Sequence, residues 1–203
     1  MKIYDFVGAP NPKRLRIYLA EKGLDIELSP VNILAGEHRS ESFRAKNPMK
    51  ALPVLELDDG RCFSESLAIM QFLEELHPDP PMIGTTPEER LRVRELDRIC
   101  EIGVLLNVAL LVQNTSPFFA ERIEQSEAGA RNGRKRAMGT LKVLDAKIAE
   151  QLFVAGDAPT IADCTLFAAV GFASMMGCKL DLAPLPNVAR WYQSFKQRPS
   201  AGA

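Results

Sequence analysis

Asn47-Pro48-Met49-Lys50-Ala51-Leu52-Pro53-Val54-Leu55-Glu56-Leu57-Asp58-Asp59-Gly60-Arg61-Cys62-Phe63-Ser64-Glu65-Ser66-Leu67-Ala68-Ile69 is the stretch that decides the fold. Pro53 interrupts an apolar run, and a cis peptide before it is far cheaper than at a non-proline bond. Val54 to Leu57, Asp58-Asp59-Gly60 and Arg61 to Phe63 read as strand, tight turn and strand, a β-hairpin. Ser64-Glu65-Ser66 falls where a helical apolar pattern begins, at Leu67, Ile69, Met70, Phe72 and Leu73, which is N-cap chemistry. Proline removes a donor and leaves nearby backbone free to pair with something else. A helix N-terminus on the same side attracts a carboxylate. Together they point to a site for a small, extended, acidic, peptide-like molecule.

On the N-terminal side, Lys2 to Val7 and Ile26 to Val31 read as strands, joined by a helix ending at Lys22-Gly23. Pro12 suits the first helical position, which makes Asn11 the expected N-cap. Two strands joined by a helix form a βαβ unit, normally parallel. With the antiparallel hairpin added, the sheet is expected to be mixed. A weak helix is expected around Ser40 to Lys46, and a stronger one from Glu65 to Leu76.

On the C-terminal side, His77-Pro78-Asp79-Pro80-Pro81 cannot continue a helix and favours an extended linker. No convincing strand follows. Thr86-Pro87-Glu88-Glu89 opens a helix that runs to about Asn114, long enough to expect a bend. Ser116-Pro117 stops it. A second long helix covers Glu127 to Gln151. Thr160-Ile161-Ala162-Asp163 is close to a capping box before an apolar, centrally buried helix, and a last helix begins at Pro186 and ends near Arg198-Pro199. The expected organisation is residues 1–77 as an α/β unit, 78–86 as linker and 87–203 as an all-helical unit.

Composition narrows the function classes. The 203 residues are 46% hydrophobic and 25% charged, with net charge −1. That balance gives no basic excess for nucleic acid or an anionic membrane surface. No run approaches membrane-spanning length, and no signal-peptide pattern opens the chain. Cys62, Cys100, Cys164 and Cys178 are far apart, and with two histidines in the chain no zinc site is expected. They read as reduced, mostly buried thiols of a cytoplasmic protein.

Leu52-Pro53 with Ser64-Glu65-Ser66, Gly156-Asp157 with Thr160-Ile161-Ala162-Asp163, and Pro186-Asn187, Trp191-Tyr192 and Arg198-Pro199 resemble, in this order and spacing, the cytosolic glutathione transferase family. The resemblance implies a thioredoxin-like domain followed by a helical domain, assembled as a homodimer, with glutathione as co-substrate. It implies that Leu52, before Pro53, pairs its backbone with the cysteinyl unit of glutathione, as in strand addition. Glu65 and Ser66 would hold the γ-glutamyl end, and His38 or Lys50 the glycyl carboxylate. Lys50-Ala51 departs from the commoner Gly-Lys order. The frame Asp5, Pro10, Arg14 and Arg16 looks most like the theta-like bacterial and fungal branch. The Ser-Ser-Cys run of zeta-type isomerases is absent.

The family's chemistry needs the thiolate. Lowering a thiol by about two pKa units from ~8.5 requires ~2.7 kcal/mol of preferential stabilisation of the anion. The loop Gly8-Ala9-Pro10-Asn11-Pro12 contains no Ser, Thr or Cys, and the serine position of theta- and zeta-like relatives falls on Ala9. Three readings stay open. Asn11 donates its side-chain amide to the sulfur while the helix N-terminus supplies positive potential; or a water held by Gln113, Asn114, Thr115 or Ser116 of the second-substrate pocket does so; or the protein binds glutathione as a non-catalytic or protein-interaction module. The implied reactions are conjugation to a small electrophile and reduction of a peroxide.

Overall fold

Lys2–Asp5 (β1) is an inner strand of a four-stranded sheet in the computed structural model, which describes residues 1–203. Glu27–Pro30 (β2) runs parallel to it on one side, and Val54–Glu56 (β3) antiparallel on the other. Cys62–Ser64 (β4) completes the hairpin, with Val54 opposite Ser64. The sheet is mixed, in the order β2-β1-β3-β4, as the hairpin and the βαβ unit require. The turn closes through Gly60 N–H to the Leu57 carbonyl, with Gly60 at φ 84, where glycine carries no Cβ penalty. β1 is shorter than its apolar run, because Phe6 and Val7 peel away toward Arg16, whose guanidinium donates to the Val7 carbonyl at 3.3 Å.

Pro10–Lys22 (α1) connects β1 and β2 and ends at Gly23 in the left-handed conformation. Glu41–Lys46 (α2) lies before the hairpin and Ser66–Leu76 (α3) after it. Every later element is helical. Pro87–Arg98 (α4) opens with a full capping box between Thr86 and Glu89. The expected bend takes the form of a π-helical segment, Ile99–Leu105, before Leu106–Gln113 (α5). Pro117–Ala120 (α6) is a short helix where only a stop was expected, because Ser116 caps it by accepting from Phe118 N–H. Glu127–Lys147 (α7), Ile161–Met175 (α8) and Pro186–Lys196 (α9) follow.

Thr160 and Asp163 form the expected capping box of α8. The buried Asp163 carboxylate also accepts from Val154 N–H at 2.9 Å and Trp191 Nε1 at 2.8 Å, so one side chain ties the preceding loop, α8 and α9 together. Asp145 plays a similar part for α9, accepting from Asn187 and Val188 N–H at 2.8 Å each.

One hydrophobic core runs through the whole chain, from Ile3 in β1 to Phe195 in α9. The segment between the strand-bearing and helical parts is pinned to it. Glu74 of α3 accepts from Tyr18 hydroxyl and Met82 N–H, and Lys22 donates to the Pro80 carbonyl. A smaller cluster of Val31, Phe43, Leu52 and Val54 lies beside the sheet and holds the Leu52 side chain, leaving its backbone available. No helix is long and apolar enough to cross a membrane.

Candidate active site

The N-terminus of α1 begins two residues before the expected position. Ala9 is the N-cap, with extended φ −118 and ψ 143, and Pro10 rather than Pro12 is the first helical residue. Lys13 N–H closes the first turn on the Ala9 carbonyl at 3.1 Å. Asn11 is therefore not a cap. It lies within the first turn, exposed, and its side chain makes no capping bond. Pro10 and Pro12 carry no N–H, so Asn11 supplies the one amide donor among the first three helical positions. Arg16 braces the loop, reaching both Asp5 carboxylate oxygens at 2.7 and 2.8 Å. A side chain at Gly8 would place its Cβ 2.8 Å from the Phe6 ring.

Next to this loop stands the Leu52–Pro53 segment, with a cis peptide bond. The Leu52 N–H and carbonyl make no hydrogen bond within the chain. Because Val54 faces Ser64, continuing the register brings Pro53 beside Glu65. Glu65 occupies the N-cap position of α3 at φ 74 and ψ 105 and is exposed. Such a conformation costs a non-glycine residue about 1–3 kcal/mol and concentrates at ligand sites. α3 begins one residue later than expected, at Ser66. The Ser66 hydroxyl is buried and accepts from Arg14 Nε at 2.7 Å, so its proton stays free to be donated.

Arg14 is the residue whose role the sequence did not disclose. Its guanidinium is 1% exposed and spans both parts of the molecule. Nη2 pairs with Glu101 in the π-helical segment at 2.8 Å, and Nη1 reaches Thr165 Oγ1 of α8 at 3.4 Å. Thr165 donates in turn to Asp97 of α4 at 2.6 Å. Burial pushes the Asp97 carboxyl up, and its Oδ2 has no partner. Thus Ser66 is positioned from the helical part as well as from its own helix. Arginine at 14 was legible as part of a sequence frame; its buried fork of partners was not.

Lys50 is exposed at φ 57. Glycine satisfies that conformation without strain, which explains why a Gly-Lys order suits these two positions and why Lys50-Ala51 displaces the cation by one residue. His38 lines a cleft of about 510 Å³. Burial holds its imidazole pKa down, helped by the positive charges of Arg39, Arg122 and Lys50, and its Nδ1 has no partner.

The walls of that cleft differ from the expected second-substrate pocket. Gln113, Asn114 and Ser116 do not line it. Asn114 donates to the Leu110 carbonyl at 2.8 Å and accepts from Ser126 N–H at 2.9 Å. Ser116 caps α6, and the carbonyls of Gln113 and Ser116 both accept from Gln125. These polar groups brace the junction of α5 with α7. The cleft is formed instead by the loop from Phe6 to Pro10, the segment from Ile33 to Arg39, Phe118, Phe119 and Arg122 at α6, and Phe172, Met175 and Met176 at the end of α8. The available signal was Phe118-Phe119 directly after a Ser-Pro helix start.

A thioredoxin-like sheet domain with a cis proline and a helix N-terminus at its edge, joined to a helical domain that completes the cleft, defines a glutathione transferase fold. Residues 3–81 match the glutathione S-transferase N-terminal domain and residues 108–199 the glutathione S-transferase C-terminal domain. The chain is 33% identical to glutathione S-transferase 2 of Saccharomyces cerevisiae, over 98% of this chain and 87% of that one. It is 31% identical to maleylacetoacetate isomerase of Pseudomonas aeruginosa, over 97% and 94%. The crystal structure of Gtt2 from Saccharomyces cerevisiae superposes with a TM-score of 0.91 at 30% identity, covering 100% of this chain and 99% of that one. The chain belongs to the glutathione S-transferase family, and it is an enzyme of that family with glutathione as co-substrate.

Proposed function

We propose that this enzyme joins the glutathione thiolate to a small electrophile, forming a carbon–sulfur bond as the leaving group departs with its electron pair. The same thiolate serves to reduce an organic peroxide: the sulfur attacks one peroxide oxygen, the O–O bond breaks and the alcohol leaves, and a second glutathione converts the resulting sulfenic acid to the disulfide and water. The observation that carries this reading is the unpaired Leu52 backbone beside Pro53, in register with the N-terminus of α3. Leu52 and Pro53 receive the cysteinyl unit, Ser66 the γ-glutamyl carboxylate and Glu65 the ammonium. His38 or Lys50 meets the glycyl carboxylate. The working unit is a homodimer in the cytoplasm, with residues 1–77 as the glutathione-binding domain, 78–86 as linker and 87–203 as the helical domain.

The similarity to Gtt2 and to a maleylacetoacetate isomerase draws the chain toward those relatives rather than specifically toward the theta-like branch. The missing Ser-Ser-Cys run favours conjugation over isomerisation. For the thiolate we assign Asn11, through its backbone N–H at the start of α1, where the helix end adds about 0.3–1 kcal/mol. Asn11→Pro is then expected to raise the pKa of bound glutathione, read from thiolate absorbance against pH, while Asn11→Ala leaves it nearly unchanged. The reverse pattern would transfer the role to the side chain.

The function itself is tested by retention on immobilised glutathione, followed by turnover of a generic aryl halide and an organic peroxide. Retention with turnover of either supports the reading. Retention without either favours the binding module that Ala9, in place of a hydroxyl, would suit. Absence of retention sinks both.

A further inference from the structure

The cleft carries positive charge without a balancing acid. Among the residues that line it there is no acid, although the whole chain carries net charge −1. Arg39 and Arg122 both line it, and neither guanidinium forms an ion pair with a carboxylate of the chain. Arg122 is exposed but held in place by an aromatic ring. Its guanidinium carbon lies 3.9 Å from the centroid of the Phe118 ring, and Phe118 packs edge-on against Phe119 at 4.9 Å. Stacking orients the planar fork and leaves its in-plane donors unoccupied. Phe172 and Met175 line the same cleft, an apolar and adaptable surface suited to a flat ring.

We infer that the second substrate is an apolar, ring-sized electrophile bearing a carboxylate, and that Arg122 is the residue that selects for the charge. This rests on the conjugation reading given above and adds the substrate class to it. In that reading the glycyl carboxylate of glutathione is met by His38 or Lys50, on the strand-bearing side. Arg122 belongs to the helical side, just after α6, and lines the cleft together with Phe172 and Met175 of α8. A carboxylate on the ring would receive both ends of the guanidinium fork while the ring meets Phe118, Phe172 and Met175.

The test uses two glutathione conjugates that differ in one charge: those of chlorodinitrobenzoate and of its methyl ester. In each, the thiolate has replaced chloride on the ring. Both conjugates and free glutathione are titrated against the intact protein. The acid conjugate is expected to bind about five- to tenfold more tightly than the ester, as one oriented, charge-assisted contact in a half-open site allows, and the gap is expected to shrink as salt is raised. Arg122→Gln is expected to abolish the gap and leave the affinity for free glutathione unchanged. Equal affinities in the unaltered protein, or a gap that survives Arg122→Gln, would overturn the inference while leaving the conjugation reading standing. No binding of glutathione itself would overturn both.

Discussion

The two sides of the site are built on different principles. The side formed by Asn47–Ile69 and α1 is a lattice of directed bonds: an unpaired backbone edge at Leu52, a strained Glu65, and Ser66 held by a buried arginine. The side formed by α6 and the end of α8 is a wall of Phe and Met with an arginine stacked on it. Directed bonds at fixed spacing recognise one molecule. An apolar wall accepts many of about the right size, and a single oriented charge narrows them to a class. One enzyme can therefore be strict toward its thiol and lenient toward what the thiol attacks.

The sharpest way to break that contrast is to remove Arg14. Arg14→Met leaves Ser66 without its donor and Glu101 with Arg98 alone inside the junction of the two parts, and losing buried, charge-assisted hydrogen bonds of this kind costs about 1–3 kcal/mol. Denaturant unfolding is expected to show that loss, and glutathione affinity to fall with it because Ser66 is no longer positioned. Met175→Ala on the other wall, at an exposed position, is expected to stay within about 0.5 kcal/mol and to keep glutathione affinity. Equal losses in the two variants would mean that the walls do not differ in kind.

Glu65 sharpens the comparison at smaller scale. If its positive φ is maintained for the ligand, Glu65→Gly is expected to raise stability by about 0.5–1 kcal/mol, a rise of roughly 1–4 °C in Tm, while weakening glutathione binding. A variant that gains stability and keeps its affinity would separate the strain from the function.

The contrast between the sides also decides how much could be read before the fold was known. The directed side rests on local grammar. Leu52-Pro53, the Asp58-Asp59-Gly60 turn and the helix start at Ser64 to Ser66 each carry their signal within a few residues, and the mixed sheet follows from their order. The wall rests on which side chains α6 and α8 bring together, and no spacing in the chain encodes that meeting. Gln113, Asn114 and Ser116 are polar residues at the end of a long helix, as a pocket lining would be, yet the Asn114 and Ser116 side chains are committed to Leu110, Ser126 and the α6 cap, and Gln113 is exposed outside the cleft lining. The start of α1 was ambiguous for a narrower reason. Pro10 and Pro12 both suit a first helical position, and the earlier one prevails because Ala9 adopts an extended conformation and accepts from Lys13 N–H.

The smallest expected effect concerns the outer support of the directed side. Glu56 of β3 accepts from Tyr4 hydroxyl at 2.9 Å and Lys46 at 2.6 Å, with Lys2 at 3.3 Å, and so ties β1 and the end of α2 to the strand that leads out of Pro53. Lys46 and then Tyr4 hold the Glu56 carboxyl down at about 2, from an ordinary 4.5. A carboxylate depressed in the folded state binds fewer protons there than in the unfolded chain. Its contribution is therefore whole above about pH 4.5 and is lost as pH falls toward 2. The stability gap between the unaltered protein and Glu56→Gln is thus expected to be widest near neutrality and to close across that window. The site is half-open, so the gap is modest and is read as a difference between two acid-unfolding curves. A gap that stays constant down to pH 2 would show that Glu56 acts by shape and hydrogen bonding rather than by charge, and the directed side would then owe less to electrostatics than its ion pairs suggest.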